Sequence, residues 1–383
     1  MGVLDGLKVV EMASLGPAPA CGMLLADLGA DVINVERPAA DAGRARPAEI
    51  YNRGKRSIIL DLKKPGAIDT ALKLVEGSDA LIEGMRPGVM ERLGLGPDVC
   101  LACRPSLVYG RMTGWGQYGP LMRAAGHDGN YVALSGALWL ATASGQRPEP
   151  PPSLLGDMAG GALYLAIGVV AGVLRARKDG RGQVVDAAMV DGSAHLLNLL
   201  LSIIPSRVYK TGKPASDGQP FARSYRCSDG EWVNICAIEP QFYAELIKRL
   251  GLDGEERFVG GLMNAEVWPD LTDQLARVFA SKTRSEWCKL LEGTDACFAP
   301  VLSPPEAAVH PHNVARGVYA IVDGILQAGP APRFSATPSN ELSHVPVRGA
   351  HTREVLSKLK LTPQQIKQLT KSGALGPPRF AAE

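Results

Sequence analysis

The sequence predicts an α/β protein: a large domain on a parallel, Rossmann-like sheet, followed by a smaller α+β domain. Three observations predict this. Residues 7–12 and 31–36 read as strands with an amphipathic helix at 21–28 between them, a βαβ unit that implies a parallel sheet. At 383 residues the chain exceeds what one core usually serves. Past a stretch rich in Gly, Pro, Ser and Lys at 210–220, the pattern changes to a hairpin followed by helices.

The other elements follow in order. Residues 57–62 and 80–83 read as strands flanking a helix at 64–76, and 106–112 adds another strand. In an open sheet of this kind ligands sit at the carboxyl ends of the strands. The apolar run 158–174 falls short of the ~20 residues a membrane span needs, and reads as a buried helix. Residues 184–189 are strand-like, and 195–204 form an apolar helix. Beyond the linker, 224–226 and 231–238 are strands joined by the turn Ser228-Asp229-Gly230, followed by helices at 241–250, 271–280 and 284–291. The Pro-rich stretch 322–346 reads as an irregular return across the molecule, before helices at 352–359 and 362–371, the second with Thr362 as N-cap and Pro363 at N1. The expected domains are 1–205, a linker at 206–223, a small domain at 224–320, and a segment 321–383 that rejoins the large domain.

Composition excludes several classes. With 46% apolar and 21% charged residues and a net charge of +2, nothing argues for binding nucleic acid or an anionic membrane. Seven scattered cysteines do not make a disulfide scaffold, and the lone Cys100-x-x-Cys103 lacks the second pair a zinc site needs. No signal peptide, myristoylation motif or peroxisomal ending is read, so the expectation is a soluble cytoplasmic protein. Gly114-x-Gly116-x-x-Gly119 matches a dinucleotide fingerprint, but Pro120 follows at once where a helix should open. The first βα turn, 13–19, holds one glycine and two prolines, so no dinucleotide site is expected.

Two stretches carry candidate chemistry. Gly126-His127-Asp128-Gly129-Asn130-Tyr131 sets an imidazole in a glycine-flanked turn with polar neighbours. Leu154-Leu155-Gly156-Asp157-Met158 sets a carboxylate where the long apolar helix should begin. Asp157 reads either as an N-cap or as an acid/base group beside helix N–H donors that would stabilise an oxyanion. The helix dipole lowers its pKa while burial raises it, and the sequence leaves the balance open. Glu239 reads as a cap or, paired with His127, as the group that fixes the imidazole tautomer. His310-Pro311-His312 reads as a surface loop, with no metal site expected. Arg37, Arg53, Lys55, Arg56, Lys63, Arg86 and Arg92 fall at predicted strand ends, either as solvated charges or together as a pocket for a phosphorylated handle.

Taken together, Arg53-Gly54-Lys55-Arg56-Ser57, Arg86-Pro87-Gly88, the stretches around His127 and Glu239, and Gly182-Gln183-Val184-Val185-Asp186 resemble the family III CoA-transferases. The Gly-His-Asp-x-Asn-Tyr and Ile-Glu-Pro-Gln-Phe-Tyr stretches resemble, within that family, the α-methylacyl-CoA racemases. The resemblance implies that His127, supported by Glu239, is one base and Asp157 the other. It implies acyl-CoA contacts from Arg37, from Leu60, Asp61, Leu62 and Lys63, and from Gly126, Asp128, Gly129, Asn130 and Tyr131, with Arg86 and Arg92 near the CoA phosphates. It further implies an interlocked homodimer and no cofactor, coenzyme A entering with the substrate. Gly129 and Ser153 depart from the residues common in racemases, which bears on acyl-chain preference. The reaction implied is 1,1-proton transfer through an enolate; the alternative is CoA transfer between carboxylates with Asp157 as nucleophile.

Overall fold

A computed structural model describes residues 2–39, 44–203, 217–338 and 341–376. The first half alternates as predicted: β1 (Lys8–Met12), α1 (Pro17–Asp27), β2 (Asp31–Glu36), β3 (Arg56–Ile59), α2 (Ala67–Glu76), β4 (Ala80–Glu83), α3 (Val89–Leu93), α4 (Pro97–Cys103) and β5 (Val108–Thr113). Then come α5 (Asp128–Leu134), α6 (Ala137–Ala141), a π-helical segment Leu154–Ala162 continuous with α7 (Leu163–Asp179), β6 (Gln183–Ala188), α8 (Met189–His195) and α9 (Asn198–Ile203). Six strands form one parallel sheet in the order β3-β2-β1-β4-β5-β6. The order reverses between β1 and β4, and the crevice at the carboxyl ends there is where such sheets bind ligands.

Helix α1 starts earlier than periodicity suggested, because Pro17 supplies the preset φ of a first turn. Residues 158–174 belong to a helix that is longer than expected, Leu154–Asp179, long and apolar enough by length and composition to cross a bilayer. Its glycines explain the composition differently. A Cβ at Gly168 would stand 2.6 Å from Val185, at Gly172 2.9 Å from Val108, and at Gly160 2.7 Å from the Ser193 hydroxyl. The helix lies hard against β5, β6 and α8, and side chains would hold it off.

Two compact units divide the chain: residues 1–139, 149–198 and 317–383, and residues 140–148 and 199–316. The second holds an antiparallel sheet of β7 (Ala222–Arg226), β8 (Trp232–Cys236) and β9 (Phe298–Pro300), with α10 (Pro240–Arg249), α11 (Glu256–Val259), α12 (Trp268–Phe279), α13 (Arg284–Leu291), α14 (Pro304–Val309) and α15 (Pro311–Ala315). Its core stacks Phe279 on Tyr225, at 5.1 Å between ring centroids. Most of the stretch read as a linker, residues 206–216, lies outside the described residues. Back in the first unit, β10 (Tyr319–Val322) and β11 (Ile325–Ala328) form a hairpin where an irregular return was expected. Asp323 and Gly324, both at positive φ, make its turn, an Asp-Gly signal overlooked among the prolines that follow. The last helices are α16 (Thr352–Lys358) and α17 (Pro363–Ser372), the latter capped by Thr362 as predicted.

Ion pairs, most of them buried, cross-link the strands and their flanking loops. Lys55 Nζ lies 2.7 Å from Glu11, with both side chains fully buried. Arg53 pairs with Asp27 at 2.6 Å, and Arg56 with Asp31 at 2.6 Å. Glu36 accepts from both Arg46 and Arg348 at 2.6 Å. Arg53, Lys55 and Arg56 are therefore engaged by carboxylates of the same unit, while Arg37, Lys63, Arg86 and Arg92 have no such partner among the described residues. Burial pushes the Glu11 carboxyl up to about 7 against the pull of Lys55. A carboxyl raised in this way contributes stability below its unfolded pKa that is lost as pH rises through the folded value. Lys55→Ala should destabilise the fold by about 3–5 kcal/mol at pH 8, where Glu11 is left charged, and by less near pH 5, where it takes a proton. Urea unfolding at the two pH values checks this; equal losses at both would contradict it.

Candidate active site

The loop after β1 and the segment after β5 meet the π-helical segment, and the loop after β4 meets the loop after β1. A Cβ on Gly84, just past β4, would stand 2.7 Å from the Ser14 hydroxyl, just past β1, so these two loops touch. Gly16 sits at φ 71, and a Cβ there would lie 3.8 Å from Asp157 Oδ2, so the β1–α1 loop passes the Asp157 carboxylate.

His127 lies in extended conformation at the N-cap of α5, which converts the expected turn into a helix start. Its N–H donates to Asn130 Oδ1 at 3.0 Å, the reciprocal half of a capping arrangement, and leaves the ring exposed. Tyr131, one turn on, is the pillar under this helix. It is 7% exposed, meets Trp115 edge-on at 4.7 Å, and donates its hydroxyl to the Gly126 carbonyl. Gly114 and Gly126 make room: a Cβ would stand 2.0 Å and 2.7 Å from the Tyr131 ring, respectively. The glycines that imitate a dinucleotide fingerprint thus serve, at position 114, to seat an aromatic ring.

Asp157 is not an N-cap. The helix begins at Leu154, after Ser153 at φ 54, and Asp157 occupies its first turn. Its own N–H donates to Asp128 Oδ1 at 2.7 Å, so this donor is closed to an oxyanion. Burial raises the Asp157 carboxyl above the ordinary aspartate range, the nearby Asp128 charge adds to that, and Ser153 and His127 pull it down. The Asp157 carboxyl thus lies within electrostatic reach of the His127 ring. The Tyr131 hydroxyl is raised by burial and by Asp157, while Arg86 lowers it.

The remaining predicted contacts vary in what they expose. Arg37 follows β2 and Arg92 lies on α3, both exposed, and Arg86 is exposed beyond β4. Leu60 is buried in the core with its N–H donating to the Glu36 carbonyl at 2.8 Å, so its side chain faces away from solvent. The Asp61 N–H donates to the Ala374 carbonyl, and its carboxylate accepts the Lys63 N–H at 3.1 Å; Leu62 is half-buried and Lys63 exposed. Gly129 lies against Pro150, where a Cβ would stand at 3.2 Å, and Asn130 is exposed. Glu239 belongs to the second unit, exposed at the N-cap of α10. His310 pairs with Glu292 at 2.8 Å. Sequence reasoning missed Ser14, Gly16 and the seating of Tyr131; the spacing of Gly114 and Gly126 around Trp115 was the available signal.

Residues 4–352 match CoA-transferase family III, and the chain belongs to that family. Within it the chain is 42% identical over 373 residues to α-methylacyl-CoA racemase of Mus musculus, covering 96% of each chain. It is 41% identical to the Homo sapiens α-methylacyl-CoA racemase, again covering 96% of each. The fold resembles a CAIB/BAIF family protein from Brucella suis, with TM-score 0.81, 25% identity, and coverage of 94% of this chain and all of that one (100%).

Gly114→Ala should cost about 1–3 kcal/mol by forcing Tyr131 from its seat. Gly254→Ala, where a Cβ meets nothing within 4 Å, serves as the neutral comparison in the same denaturant titration. Equal stability of the two variants would contradict the pillar role of Tyr131.

Proposed function

We propose that the protein interconverts the R and S forms of 2-methylacyl-CoA thioesters by 1,1-proton transfer at the α-carbon. What supports this reading is a carboxyl, Asp157, that burial raises within electrostatic reach of His127, in a chain similar along its length to α-methylacyl-CoA racemases. One group removes the α-proton, a planar enolate forms, and the other delivers a proton to the opposite face. Asp157 is suited to both roles, because burial narrows the gap between its affinity for a proton and that of an imidazole.

General acid/base catalysis supplies roughly 10²–10⁴-fold, so further stabilisation of the enolate is required. Oxyanion donors contribute roughly 2.7–4 kcal/mol each. With the Asp157 N–H occupied by Asp128, the donors are the other first-turn N–H groups of the π-helical segment. Arg37, Lys63, Arg86 and Arg92, which pair with no carboxylate among the described residues, would hold the phosphates of CoA, whose binding energy holds the α-carbon between the two groups. Glu239 would support His127 from the small domain of a second copy in a homodimer. CoA enters as part of the substrate, and the reaction calls for no organic cofactor.

Incubation with a single epimer in D₂O tests this. The expected result is α-deuterium incorporation and loss of optical activity without any added acid, reduced about 10²-fold or more in both His127→Ala and Asp157→Asn. CoA transfer through an Asp157 anhydride would instead stay silent until an acceptor carboxylate is added, and that outcome would overturn the proposal.

A further inference from the structure

Asp128 is implied by the resemblance to contact substrate, yet its side chain does something else. It is 7% exposed, and Oδ1 accepts the Asp157 N–H at 2.7 Å. Oδ2 is buried without a hydrogen-bond partner. Both oxygens are therefore turned into the protein. The approach is built in: a Cβ on Gly156 would stand 2.7 Å from Asp128 Oδ1, so only glycine lets the π-helical segment come this near. Asp128 is also the residue after His127, at the first position of α5. One side chain thus ties the element carrying the imidazole to the element carrying the carboxylate.

We propose that Asp128 is a positioning residue, whose buried carboxylate ties the Asp157 backbone to the element that carries His127 and sets a negative charge beside the Asp157 side chain. This rests on the acid/base reading of His127 and Asp157. The groups facing Asp157 are few. Helix α5 and its cap present His127, Asp128 and Tyr131; the segment of Asp157 itself presents Ser153; Arg86 acts on the adjoining Tyr131 hydroxyl. The β1–α1 loop presents Gly16, and α8 presents Met189 and Ser193 to the glycines that follow. Asp128 is the anion in that set, and its single hydrogen bond, from the Asp157 N–H to Oδ1, leaves Oδ2 buried without a donor. A like charge at this range raises the proton affinity of its neighbour. An aspartate proton ordinarily leaves far below the pH where an imidazole takes one up, so a two-way exchange gains from narrowing that gap.

Asp128→Asn is the discriminating change, because the amide oxygen still accepts the Asp157 N–H while the charge is gone. The acid limb of the kcat/KM–pH profile should move down by roughly 1 pH unit. At neutral pH kcat/KM should fall about tenfold, and equally for both epimers, since the epimer equilibrium constant fixes their ratio. Asp128→Ala, which also frees the amide, should lose more. An acid limb unmoved in a folded Asp128→Asn protein would overturn the proposal.

Carboxyl ¹³C titration of the unmodified protein gives an answer that needs no Asp128 variant to fold. With the Asp157 signal assigned by its loss in Asp157→Asn, it should titrate above the ordinary aspartate range. A single step in the ordinary aspartate range would refute the coupling. This readout stands even if the protein exchanges no α-proton, so failure of the racemase reading and failure of the Asp128 role are told apart.

Discussion

The site depends on one hydrogen bond, from the Asp157 amide to the Asp128 carboxylate at 2.7 Å. An amide bonded to a buried anion is held more strongly than a neutral pair, because the acceptor carries a full charge in a poorly screened place. It fixes the start of the π-helical segment against α5, and with it the side chains of Asp157 and His127. The same charge then resists ionisation of Asp157. Burial raises that carboxyl first and the Asp128 charge adds to it, so the group that positions Asp157 also bears on its protonation. Tyr131 completes the support from below, wedged between Trp115 and the glycines at 114 and 126.

Those supports need a rigid frame, which the sheet supplies. Lys55 and Glu11 are buried together beneath α1, and a Cβ at Gly22 would reach 1.8 Å from Glu11. Glu83, at the end of β4, is held by Arg111 on β5 at 3.1 Å, and its second oxygen accepts the Met85 N–H at 2.6 Å. Burial pushes the Glu83 carboxyl up to about 7. Such pairs add little net stability, but removing one partner strands a charge, so they fix register. The strand ends at the switch point are thereby pinned where the loops carrying the site leave the sheet.

Much of the fold was legible. Strands 31–36 and 80–83 and helix 284–291 coincide with the structure residue for residue, because alternation and flanking Gly, Ser or Thr mark their ends. The site was legible as a set of residue types, and less so as geometry. Asp157 was placed at a helix start, but one turn too early in its role: a nine-residue π-helical segment from Leu154 has no periodic signature distinct from an α-helix. Asp128 was read as a ligand contact, since burial of a carboxylate beside an exposed histidine depends on the approach of residues about thirty positions away. The basic cluster was half dissolved for the same reason. Arg53, Lys55 and Arg56 look like a phosphate pocket in sequence, while their partners Asp27, Glu11 and Asp31 lie 25 or more positions distant.

The chemistry proposed requires two groups on opposite faces of one planar intermediate, each handing over a different proton. Isotope content at early conversion measures this directly. With a single protiated epimer in D₂O, the inverted product should carry solvent deuterium, while recovered substrate keeps its original hydrogen through return from the group that removed it. Inverted product that retains the substrate's own hydrogen would mean one group serves both faces, and would contradict the account.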